Sequence, residues 1–156
     1  MSLAAEVLAA AKARGAMIAT AESCTGGMVA AALTDIPGSS AVVERGFVTY
    51  TNAAKTEMLG VRPETLTAHG AVSEEVAREM AEGALAHSHA SLAVAITGIA
   101  GPGGSEFKPE GRVCFGLAQA GAQTHVETVE FGAPGRDKVR SAARDHALGL
   151  LLRALG

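Results

Sequence analysis

The chain has 156 residues, 48% of them hydrophobic and 19% charged. That length fits one domain with an ordinary core, and the composition excludes a disordered polypeptide. With 13 Lys and Arg against 16 Asp and Glu, a net charge of -3, no Trp and one Tyr, it lacks both the basic excess and the stacking platforms of a nucleic-acid binder.

The chain opens MSLAAEVLAAAKARG, where Leu3, Val7, Leu8 and Ala11 recur at helical spacing and Gly15 is placed to stop the helix. This start has no uninterrupted apolar stretch like that of a signal peptide, and no later run reaches the ~20 apolar residues of a membrane span. Met17 to Ala21 reads as a short buried strand, and Cys24 to Leu33 as a second helix. Asp35 to Ser40 is a turn by composition. Val42 to Tyr50, rich in β-branched and aromatic types, is a second strand. Asn52 can cap a short helix that Gly60 stops, and Ser73 a longer one carrying Val76, Met80, Ala84 and Leu85. Leu92 to Thr97 is the clearest buried strand, followed by a Gly- and Pro-rich loop from Gly98 to Gly111. Arg112 to Ala118 and Thr124 to Phe131 pair as a hairpin around Gly121, and Asp137 to Leu155 closes the chain as a helix. Five strands alternating with helices predict a three-layer α/β sandwich in a single domain, its sheet mixed because of the hairpin. Two cysteines, Cys24 and Cys114, form no disulfide framework, so a reducing, cytoplasmic setting is expected.

Three polar clusters each follow a predicted strand: Thr20 to Gly27, Tyr50 to Lys55, and Thr97 to Gly104. If those strands run parallel, the clusters converge on the edge where open α/β sheets bind ligands. Ser23, between strand and helix, reads as a nucleophile or as an ordinary N-cap. Cys24 is its rival, since a thiol at a helix N-terminus can be acidified. His69, His87, His89, His125 and His146 all lie outside the clusters and read as surface or packing residues. Lys55 is the better base, provided that desolvation lowers its pKa, with Tyr50 placed to relay a proton or orient the pair. Otherwise the two are a solvated lysine and a half-buried tyrosine. The third loop has neither a Walker lysine nor a Rossmann spacing, although Thr97 and Gly98 could offer N–H groups to a carbonyl oxygen or a phosphate. Arg136 and Arg140, at the start of the last helix, are candidate phosphate donors.

Taken in order, AESCTGG, GFVTYTNAAKTEMLGV, AHGAVS, AITGIAGPGG, KPEGRV and GRDKVR resemble the CinA C-terminal domain family over nearly the whole chain. The resemblance implies an α/β/α sandwich with a mixed, mostly parallel sheet of five to six strands. It implies hydrolysis of the carboxamide of nicotinamide mononucleotide to nicotinate mononucleotide and ammonia, in pyridine-nucleotide salvage. Its catalytic serine, lysine and tyrosine fall on Ser23, Lys55 and Tyr50. Its substrate-binding positions fall on Thr97, Gly98 and Arg136, and N–H groups around Ser23, Thr25, Gly26 and Thr97 to Gly98 are the expected oxyanion donors. No metal or organic cofactor is expected, nor any nucleic-acid or membrane partner, and a homo-oligomer is. The loop GPGGSEFKPEG departs from the family pattern: it is about one residue short, and Glu110 stands where a small apolar residue is common. Larger relatives carry an N-terminal domain for which this chain is too short, so a free-standing protein is expected. Two other readings compete: an amidase for a different carboxamide, and a nucleotide-binding module of the competence/damage-inducible type without catalysis.

Overall fold

In the computed structural model, which describes residues 1–156, five strands form one sheet. They are β1 (Ile18–Glu22), β2 (Val43–Val48), β3 (Leu92–Gly98), β4 (Arg112–Gln119) and β5 (His125–Glu130), in the order β2-β1-β3-β4-β5. The pairs β2/β1 and β1/β3 are parallel, and β3/β4 and β4/β5 antiparallel, so β4 alone opposes the common direction. Sequence explains the order. The central segments IATAE, LAVAITG and RVCFGLAQ are almost wholly buried, as strands covered on both faces must be. The edge strands VERGFV and HVETVE carry most of the strand charges and are the more exposed.

Helices α1 (Leu3–Arg14), α2 (Met28–Thr34) and α6 (Arg136–Leu155) cover one face; α3 (Asn52–Leu59), α4 (Pro63–His69) and α5 (Glu74–Ala86) lie on the other. The first layer packs Val7, Leu33, Ile96, Phe115 and Leu151 into the larger core. The second sets Leu59, Val76 and Met80 against Ala19, Ala21, Ala93 and Ala95. These small strand residues let α5 come close. A Cβ on Gly116 would stand 2.4 Å from the Ala77 carbonyl oxygen, and one on Gly83 only 2.0 Å from that of Leu59, where α5 meets α3.

Two local features depart from expectation. α4 was not foreseen, although Pro63 at its first position, Glu64 in its first turn and Gly70 after it are ordinary start and stop signals. Helix α2 begins four residues later than expected, because Gly26 and Gly27 take left-handed conformations (φ 59° and 107°) and bend the chain first. Its N-terminus is capped from a distance. Buried Glu22 accepts from the Val29 and Ala30 amides, 3.0 Å each, setting a carboxylate at the positive end of the helix. Glu22→Gln turns one of those contacts into donor against donor, and urea denaturation is expected to show a loss of ~2 kcal/mol.

Because β1, β2 and β3 run parallel, Ser23, Thr49 and Tyr50, and Gly98 all emerge on one edge. The convergence expected from sequence is present.

Candidate active site

Ser23 follows β1 directly, and its amide extends the β1/β3 pairing by donating to the Ile96 carbonyl (3.0 Å). With Glu22 capping α2, the Ser23 hydroxyl is released from the N-cap role. The turn behind it is held by Arg140 of α6, whose Nε donates to the Cys24 carbonyl (3.0 Å) and Nη2 to that of Thr25 (3.3 Å). Gly26 leaves the room: a Cβ there would come 3.3 Å from Arg140 Nη2. A trans peptide points its C=O and N–H in opposite directions, so fixing the Cys24 oxygen on Arg140 turns the Thr25 N–H away from it. The Ser23 and Gly26 amides, expected as oxyanion donors, are spent on the Ile96 and Ser23 carbonyls (3.0 Å each), while the Cys24 and Thr25 amides donate to no acceptor outside their own residues.

Lys55 comes from the first turn of α3, which is capped by the Thr51 hydroxyl accepting from the Ala54 amide (3.0 Å). Side chains near a helix start lean back past its N-terminus, and here that carries the amine to the end of β2. Nζ lies 3.0 Å from the Thr49 carbonyl, 3.4 Å from that of Tyr50 and 3.1 Å from Ser23 Oγ. The residue is 1% exposed. Burial lowers the lysine pKa, while negative charge at Cys24 and Glu106 would raise it. Burial also pushes the Cys24 thiol up to about 11, so at neutral pH Cys24 is uncharged and gives Lys55 no counter-charge. A neutral amine has two N–H donors and one lone pair. In that form the two carbonyls take the donors and the lone pair faces the Ser23 hydroxyl, the one partner that can donate; as the ammonium, Nζ donates to all three.

The acidified thiol expected at Cys24 is therefore not found. The sulfur is buried, and α2 starts too far on for its dipole to act at close range. Tyr50 also differs from expectation. It meets Lys55 through its backbone carbonyl, whereas its 58%-exposed side chain bonds elsewhere. Its hydroxyl accepts from Arg136 Nη2 (2.8 Å), and Arg136 Nη1 donates to the Gly101 carbonyl (2.6 Å). The phenol thus stands at the cavity rim, hydrogen-bonded to Arg136 and not to Ser23 or Lys55. Thr97 Oγ1 donates to the Ala71 carbonyl (2.8 Å). Gly98 must lack a side chain, since a Cβ would lie 2.7 Å from Val113 Cγ2 and 3.1 Å from Cys24 Sγ.

Ser23, Tyr50, Lys55, Thr97, Gly98 and Arg136 all line one cavity of about 330 Å³. Thr25 and Gly26 sit behind it, and none of the five histidines reaches it. His125 and His146 instead share the carboxylate of Glu127. Sequence reasoning missed Glu22, Arg140 as a brace, and Lys108, whose Nζ ties the glycine-rich loop to the His69 and Val72 carbonyls at 2.6 Å each. Arg140 and Lys108 act through partners distant in sequence, and Glu22 through amides beyond an intervening turn.

An open α/β sheet with a buried serine–lysine pair at the carboxyl ends of its parallel strands defines a class of protein equipped for attack on a carbonyl carbon. The model of the CinA C-terminal domain matches residues 1–155, and the chain belongs to that family. It is 56% identical over 152 residues to the nicotinamide-nucleotide amidohydrolase PncC of Escherichia coli (strain K12), covering 97% of this chain and 92% of that one. A CinA-like protein of Chlorobium phaeobacteroides is 53% identical over 146 residues, 90% of this chain but 34% of the longer relative. The crystal structure of a competence/damage-inducible protein from Agrobacterium tumefaciens superposes with a TM-score of 0.94 at 51% identity, over 98% of this chain and 93% of that one.

Proposed function

We propose that this protein hydrolyses the carboxamide of nicotinamide mononucleotide, giving nicotinate mononucleotide and ammonia. The observation that carries the reading is the buried Lys55 amine 3.1 Å from Ser23 Oγ; the similarity to PncC over nearly the full length of both chains supports the substrate. Neutral Lys55 takes the Ser23 proton as Oγ attacks the carboxamide carbon. The amide of Cys24, the residue of this turn that lines the cavity, receives the oxyanion, and Arg140 holds the turn in place. Collapse of the tetrahedral intermediate breaks the C–N bond, and protonated Lys55 returns its proton to the departing nitrogen, which leaves as ammonia. Lys55, neutral again, draws a proton from water as the hydroxide attacks the ester; collapse breaks the C–Oγ bond, protonated Lys55 returns the proton to Ser23 Oγ, and the acid product ionises to the carboxylate as it leaves. Each step uses a group already in position. Thr97 and Gly98 shape the floor, while Arg136 and Tyr50 hold the phosphate end at the rim.

The test is ammonia release from nicotinamide mononucleotide, with nicotinamide riboside as the comparison lacking phosphate. The nucleotide is expected to be the better substrate; a chain that releases ammonia from neither is not this amidase. Arg136→Ala is expected to raise KM for the nucleotide about tenfold, the scale of one lost charge-assisted contact, and to leave the riboside unaffected. Loss of kcat for both substrates would place Arg136 in the chemistry instead.

A further inference from the structure

Glu106 contributes the one carboxylate among the side chains lining the cavity. It sits in the two-residue turn closed by the Ser105 amide on the Lys108 carbonyl (3.0 Å) and the Lys108 amide on the Ser105 carbonyl (2.8 Å). Both central residues, Glu106 and Phe107, have left-handed backbones (φ 53° and 63°), a conformation such turns normally give to Gly or Asn. The placement is also accommodated from below. A Cβ on Gly70 would stand 2.1 Å from Glu106 Oε2, so the bare glycine backbone makes room for the carboxylate. The carboxylate makes no direct salt bridge or side-chain hydrogen bond. The Lys108 ammonium close by gives two of its three N–H groups to the His69 and Val72 carbonyls and offsets the carboxylate only in part.

An unpaired carboxylate beside the reacting groups works against them until something offsets its charge, because it favours the protonated form of Lys55. The substrate proposed above brings such a charge: its pyridine ring is N-alkylated and cationic, while its phosphate is anionic. We infer that Glu106 pairs with the cationic ring of the substrate and makes the site selective for pyridinium carboxamides over neutral ones. This inference rests on the proposed function and adds a specificity residue to it. The ring that Glu106 recruits also cancels its pull on the lysine, so the base is freed when the correct substrate arrives.

The experiment compares binding of nicotinamide mononucleotide with its 1,4-dihydropyridine form, which keeps carboxamide, ribose and phosphate but has a neutral ring. Ser23→Ala prevents turnover and serves as the background. On it, the oxidised form is expected to bind more tightly, and Glu106→Gln to narrow the ratio of the two affinities about fivefold, the upper range for a solvent-accessible charge pair. Glu106→Asp is expected to retain most of the preference. An unchanged ratio overturns the inference, and so does an equal loss for both forms, which would signify a ribose hydroxyl contact. If neither form binds the Ser23→Ala protein, the proposed function falls and the inference falls with it. Binding of both forms at an unaltered ratio sinks the inference alone.

Discussion

Ser23→Ala is expected to lower kcat for ammonia release by ~10⁴-fold or more, the loss seen when a catalytic nucleophile is removed from a preorganised site. Substrate affinity should change little, because Ser23 Oγ contacts Lys55 inside the protein and the rim residues proposed to hold the nucleotide are untouched. Quenched turnover in the unaltered protein should yield a mass adduct on Ser23 equal to the nicotinoyl nucleotide, absent in the variant. Calorimetric affinity within a few-fold of the original, together with the lost adduct, identifies a nucleophile. A variant that still releases ammonia at the original rate removes Ser23 from the mechanism. The fold should tolerate the change, since the amide bond to Ile96 that anchors this residue belongs to the main chain.

The second large effect is in the pH dependence. A lysine base acts only as the free amine, so with Lys55 in the proposed role kcat/KM should rise with pH through its pKa and level off above it. Burial lowers that pKa from the ordinary lysine value of 10.5, and the inflection should lie correspondingly below it. Lys55→Arg carries a charge that no accessible pH removes, so activity should drop by ~10³-fold or more, with the lysine inflection gone. A profile in which that limb survives the substitution would assign it to another group. The same shift has a thermodynamic counterpart. The unfolded chain holds the Lys55 proton more tightly than the folded one, so folding stability should decline as pH falls from the ordinary lysine value through the lowered one, and this contribution is constant below both. Lys55→Met should remove that slope from urea midpoints measured across the alkaline range.

Much of this was legible before any coordinates. The central strands announced themselves because sheets covered on both sides need unbroken small apolar runs, and LAVAITG and IATAE are such runs. Gly15 and Gly60 marked helix ends because left-handed stops favour glycine, and both adopt them (φ 66° and 73°). Ser23 and Lys55 were found together because each belongs to a polar cluster that follows a strand, and parallel strands bring their carboxyl ends to one edge. What stayed hidden depends on partners far along the chain. Nothing local to Glu22 says that it caps a helix six residues on, and nothing near Arg140 distinguishes a brace on two carbonyls from a phosphate ligand. Tyr50 shows the same limit from the other side: adjacency placed it in the cluster, but the direction of its phenol was set by Arg136, 86 positions later.

The close approach of α5 to α3 at Gly83 has a consequence for how this protein tolerates change. The helix bearing the base rests there on main-chain atoms, with no side chain between whose repacking could absorb an error. Drift in the surrounding apolar residues can therefore proceed without displacing the amine, whereas a single methyl at that one point would tilt the whole lever on which it is mounted. Gly83 lies outside the cavity, yet it sets where the helix that carries Lys55 can lie.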